Sequence, residues 1–172
     1  MLILGNRQTS KNGGNKVRKA LIGILFMVPL ILFSESDYVI EYSPNNSVTF
    51  SVGKYGDLEF ELSGSGYVSY DYEGKVTKQA DQYISYAYHG KPSKIGNIFI
   101  SYDYQKRPTK IGNLYISYDY EGKISKFGNS YFSYDSDKNL TSAGKARISY
   151  NHLGKPSNIS GSVGGGLRLR LR

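Results

Sequence analysis

LYISYDYEGKISKFGN, residues 114 to 129, decides the fold, because its phrase recurs with a period of 16 residues along the middle of the chain. The Ser-Tyr pair keeps the beat at Ser69-Tyr70, Ser85-Tyr86, Ser101-Tyr102, Ser117-Tyr118, Ser133-Tyr134 and Ser149-Tyr150, with no insertion or deletion. A fixed period means that one structural unit is stacked on copies of itself. Within the unit the apolar positions alternate. In IFISYD, residues 98 to 103, Ile98, Ile100 and Tyr102 share one face and Phe99, Ser101 and Asp103 the other, which is the two-residue period of a strand. The stripe expected in the core is Val68, Ile84, Ile100, Ile116, Phe132 and Ile148, each followed on its face by the tyrosine of the Ser-Tyr pair.

Each Ser-Tyr strand runs into Asp-x-x-Gly or a close variant. Asp or Asn can bond its own backbone to open a type I turn, and Gly accepts the positive φ of a following bulge. Ala87 breaks the first position, and Lys106 and Lys138 replace the glycine. A second strand follows, as in Lys123 to Phe127, and Gly128-Asn129 suits a type II′ hairpin turn, as do Gly96-Asn97 and Gly112-Asn113. Pro92, Pro108 and Pro156 fall in second strands, where they fit only beside the bulge, at a donor the ladder does not use. The fold class expected is all-β, an antiparallel hairpin-repeat meander, with coiling into a β-roll or partial shell left open.

Around the array, residues 1–36 resemble a secretory signal peptide. Lys16, Arg18 and Lys19 precede the apolar run from Ala20 to Phe33, and Ser34-Glu35-Ser36 presents small residues before Asp37. An uncleaved signal anchor is the alternative, although 14 apolar residues fall short of the roughly 20 that span a bilayer. The location implied is secreted, periplasmic or cell envelope, with no membrane span left after cleavage. Residues 37–66 hold three strand patterns (Val39 to Tyr42, Ser47 to Val52, Leu58 to Leu62) and are expected to cap the first open edge of the array. Residues 67–159 are the six repeats. Residues 160–172 form a glycine-rich basic tail for which disorder is expected, an edge strand being the alternative.

The formal charge of +8 is misleading. Arg7, Lys11, Lys16, Arg18 and Lys19 against Glu35 leave +4 in the leader, and Arg168, Arg170 and Arg172 add +3 at the end, so the repeat body is close to neutral. Nucleic-acid binding is therefore not expected. Weak contact with an anionic surface through Arg168, Arg170 and Arg172 is. The absence of cysteine removes disulfides, a thiol nucleophile and thiolate zinc sites.

The core Tyr-Asp-x-x-Gly-Lys-[Val/Ile]-x-x-[Ile/Phe], at Tyr118 to Phe127 and in variant form at Tyr70 to Gln79 and Tyr102 to Ile111, resembles the YD repeat of Rhs-type and teneurin-type proteins. The resemblance covers about residues 67 to 159 and implies hairpins that wind into a shell. Six 16-residue units are too few to close one of comparable size.

Catalysis needs unlike groups to converge, whereas a repeat spaces like groups evenly. His89 and His152 occupy equivalent turns far apart and are expected in solvent, and Asp71, Asp103, Asp119 and Asp135 read as turn formers rather than calcium ligands. No catalytic residue, metal site or cofactor is expected. The tyrosines remain. Of 17, 14 lie between Tyr67 and Tyr150, and opposite the core stripe runs a ladder of Tyr67, Tyr83, Phe99, Tyr115 and Tyr131. If exposed it could stack on sugars or on an envelope protein. Partial burial by a coiled meander is the expectation. The function expected is an exported, non-enzymatic structural or adhesive module of the cell envelope; the alternatives are a carbohydrate-binding module using the ladder and a self-assembling fibre subunit.

Overall fold

The computed structural model describes residues 38–172, so the leader and its expected cleavage after Ser36 lie outside the described residues. Sixteen strands and no helix make up the described chain. β1 (Tyr38–Asn45), β2 (Val48–Gly53) and β3 (Leu58–Leu62) come first. The repeats then supply β4 (Ser69–Tyr70), β5 (Val76–Gln79), β6 (Gln82–Tyr86), β7 (Pro92–Ile95), β8 (Ile98–Tyr102), β9 (Pro108–Ile111), β10 (Leu114–Tyr118), β11 (Ile124–Phe127), β12 (Ser130–Tyr134), β13 (Leu140–Ala143), β14 (Ala146–Tyr150) and β15 (Pro156–Ser160). β16 (Leu167–Leu171) ends the chain. β4 to β15 form one 12-stranded sheet in simple chain order, and the other four strands form a second sheet in the order β16-β1-β2-β3.

Every junction in the large sheet is antiparallel, so the array is the expected meander of hairpin units. Ile116 faces Phe127 of the following strand, and Ile100 of the preceding repeat faces Ile111. The turn chemistry explains this regularity. Asp119 Oδ1 accepts the backbone N–H of Glu121 at 3.0 Å and of Lys123 at 2.8 Å, Gly122 follows at φ +85°, and the register slips by one residue between Ser117 and Tyr118. Asp71, Asp103, Asp135 and Asn151 repeat the two bonds. Where Ala87 removes the carboxylate, His89 Nδ1 accepts the Lys91 N–H at 3.3 Å in its place. His89 is therefore half-buried, its ring edge-on to Tyr102 at 4.9 Å, rather than free in solvent as expected. Gly96, Gly112 and Gly128 hold φ between +56° and +59° while the asparagines after them do not, the type II′ signature.

The prolines occupy the bulge. Pro92, Pro108 and Pro156 pair with Tyr86, Tyr102 and Tyr150 at the slipped register. In the fourth repeat the equivalent Ile124 N–H leaves the ladder and donates to Lys54 O at 2.9 Å, which shows why a residue without that donor fits there elsewhere.

The constant tyrosine of each unit ties it to the one before. Tyr86, Tyr102, Tyr118, Tyr134 and Tyr150 each donate their hydroxyl to a carbonyl ten residues upstream, on Val76, Pro92, Pro108, Ile124 and Leu140, at 2.6–3.0 Å. Phenylalanine would fill the same space without making this bond. Tyr70 has no preceding unit and is correspondingly 55% exposed. Tyr118→Phe is expected to lower stability by about 1–2 kcal/mol by leaving the buried Pro108 carbonyl unpaired, measurable as a lower urea midpoint at unchanged m.

The small sheet does not cap the array's end, which corrects the expectation for residues 37–66. Its strands pair in a ladder only with one another, and it lies across the apolar face of the central repeats. Tyr42 meets Phe127 edge-on at 6.0 Å, the Tyr38 and Tyr134 hydroxyls are 2.8 Å apart, and Ile40, Phe50 and Val52 join Ile95, Ile111, Ile124 and Phe127 in one core. The reason is area. The Ile/Phe stripe exposes a whole sheet face, and only another sheet covers that much apolar surface. Because Tyr134 gives its proton to the Ile124 carbonyl, Tyr38 is the donor between the two hydroxyls, and burial pushes Tyr134 up to about 12.

The tail is likewise ordered rather than disordered. Leu167–Leu171 pairs antiparallel with β1, with Leu167 buried, and Ser130 Oγ donates to Val163 O at 2.9 Å to hold the linker. Arg170 meets Glu41 at 2.7 Å and Arg172 meets Glu59 at 3.1 Å, so two of the three guanidinium groups expected to reach an anionic surface are engaged within the protein.

Candidate functional site

With one face of the meander covered by the small sheet, its outer face is the extended surface left to solvent. Its pattern follows from register. Position two of each first strand carries Tyr83, Phe99, Tyr115 or Tyr131, and these rings are 67%, 62%, 65% and 66% exposed. The expected partial burial of the ladder therefore gives way to a surface row. The Ile/Phe face packs with residues of the small sheet in one core, whereas these rings on the opposite face are absent from it. Tyr67 precedes the two-residue β4 at the sheet's free edge and is 94% exposed.

Directly across from each ring stands a lysine of the preceding second strand. Lys78 pairs with Tyr83, Lys94 with Phe99, Lys110 with Tyr115 and Lys126 with Tyr131. Their ammonium groups lie 5.2, 4.9, 4.9 and 5.0 Å from the ring centroids. At this distance the cation meets the negative face of the ring, a contact worth about 0.5–1 kcal/mol at an exposed site. The same lysines pair on their other side with Ser69, Ser85, Ser101 and Ser117. The face is thus a repeating row of serine hydroxyl, ammonium and aromatic ring, with rings two strands apart, or about 9–10 Å. Lys78 also meets Asp81 at 3.5 Å; among the described residues Lys94, Lys110 and Lys126 have no carboxylate partner. The row ends at the fifth repeat, where Ser142 faces Arg147.

A second aromatic row was not singled out by the sequence reading. Tyr72, Tyr88, Tyr104 and Tyr120 sit one residue after the turn-opening position and are 96%, 101%, 88% and 97% exposed. The signal was present as an aromatic recurring every 16 residues inside a turn, where no strand face can bury it.

The other candidates form no site. The turn aspartates spend an oxygen on two backbone N–H groups each, and among the described residues no three His, Asp or Glu side chains converge on a metal position. At Asp103 burial acts to raise the carboxyl, but the Arg107 backbone and guanidinium hydrogen bonds outweigh it and hold the group below the usual range. His89 is occupied by its turn and His152 is exposed at the last one. Such a surface can stack on flat apolar ring faces and attract negative charge along a line. No protein-family model matches the chain, and no curated protein matches it.

Proposed function

We propose that this protein is an exported, non-enzymatic adhesive module of the cell envelope that holds an extended polysaccharide along the outer face of its meander. The observation that carries the reading is the exposed row Tyr83, Phe99, Tyr115 and Tyr131, which recurs on every second strand of one continuous sheet. Ring faces at a constant interval suit a linear chain of pyranoses, whose C–H faces stack on aromatic surfaces. A small folded ligand would use a single ring or a cleft. Hairpin units with an Asp turn and a recurring Tyr-Asp also support kinship with YD repeats. The leader-like residues 1–36 support export.

The test is a polysaccharide pull-down with Tyr83→Ala/Tyr115→Ala. Loss of capture is expected, with a melting temperature lowered by only a few degrees, since each exposed cross-strand pair contributes about 0.2–1 kcal/mol. Undiminished capture would remove the ladder from the binding face.

A further inference from the structure

Resting on the polysaccharide reading, we infer that the ligand is an acidic chain with one carboxylate per disaccharide, each carboxylate meeting one lysine of the row. Three observations lead there. The ammonium groups of Lys94, Lys110 and Lys126 have no carboxylate partner among the described residues, and their contact on the protein's side is the adjacent ring. An ammonium resting on a ring keeps part of its hydration and can turn toward an incoming anion without breaking an ion pair. One cation accompanies one ring at each of the four steps of the row, and the steps are two strands apart, about 9–10 Å. That is close to the length of a disaccharide in an extended chain, so charge and stacking surface repeat together on both sides. The third observation is the serine beside each lysine: Ser85, Ser101 and Ser117 are exposed and in register, positioned to exchange hydrogen bonds with sugar hydroxyls.

A neutral glycan would leave the ammonium row unused. A single-stranded nucleic acid stacks on aromatic platforms as well, but it carries a phosphate on every nucleotide and favours a groove with denser positive charge than one lysine per ring. The match in charge density favours a uronate-bearing chain whose sugars alternate between acidic and neutral.

The experiment uses the whole chain and four immobilised or titrated probes: hyaluronan, hyaluronan with its carboxyls reduced to alcohols, a neutral β-linked glucan and oligo-dT. Hyaluronan is expected to bind at least ten times more tightly than its reduced form. The triple variant Lys94→Gln/Lys110→Gln/Lys126→Gln should lose that preference while staying folded, with a melting temperature lowered by several degrees for the three lost ring contacts, and the corresponding triple arginine variant should keep it. Equal affinity for the acidic and reduced chains would overturn the inference and leave the adhesive reading intact. Binding to none of the glycans would overturn both. Tighter capture of oligo-dT than of hyaluronan would replace the sugar acid with nucleic acid.

Discussion

Phe127→Ala is expected to cost about 3–5 kcal/mol, the range for emptying a large buried aromatic site. Phe127 is fully buried, it sits where the two sheets meet, and its ring carries the edge contact from Tyr42. Neighbours on both sides are backbone-anchored strands, which limits how far the site can collapse to fill the void. Against a typical domain stability of about 5–15 kcal/mol the loss is severe, and a urea titration should show the midpoint falling by a large fraction. Tyr131 is its informative control, since the two occupy adjacent strands on opposite faces. Tyr131→Ala should cost less than about 1 kcal/mol. Comparable losses at both positions would mean that the outer row is also a core.

Ending the chain at Gly166 should be nearly as damaging, by about 3–5 kcal/mol, and should also cause association. The truncation removes the buried Leu167, worth about 1.5–3 kcal/mol on its own, and the half-buried Leu169 and Leu171 with it. It also strips β1 of a partner that pairs from Tyr38 to Tyr42. An edge strand rich in apolar residues then offers unpaired donors and acceptors to another molecule. Thermal melting with light scattering reads both effects. Exchanging Arg168, Arg170 and Arg172 for serine keeps the strand and should cost little, because exposed ion pairs contribute about 0–1 kcal/mol each.

How much of this was legible in the sequence depends on the range of the interaction. Local rules were readable. Alternation in Ile98 to Tyr102, the Asp119 to Gly122 turn and the Gly-Asn hairpins are settled within a few residues, and the prolines at the bulge follow from a missing N–H. The position of the small sheet was not, since the face against which Tyr38, Ile40 and Phe50 pack depends on apolar area summed over several repeats. The tail shows a related difficulty. Leu167 to Leu171 alternates with strand period, yet the three glycines before it suggest a flexible end until β1 is known to lie open beside it.

The exposure of the ladder falls between these cases. Period two separates Phe99 from Ile98 and Ile100 but cannot say which side is wet. Lys78, Lys94, Lys110 and Lys126 could have said so, because a lysine recurring every 16 residues on one face marks that face as solvated. The row Tyr72, Tyr88, Tyr104 and Tyr120 was obscured by its position in turns, outside the strand patterns that separate one face from the other.

The hydroxyl bond from the Ser-Tyr tyrosine of every unit after the first to a carbonyl ten residues upstream has an evolutionary consequence. A unit so joined carries its own attachment to its predecessor, so duplicating a 16-residue segment adds a strand pair with its junction already built. Outside the stretch beneath the small sheet, growth of this kind leaves the existing core untouched. Each added copy also contributes one more ring and one more ammonium to the same line. Chain length would then set avidity for a long polymer, through effective concentration rather than through any better single contact.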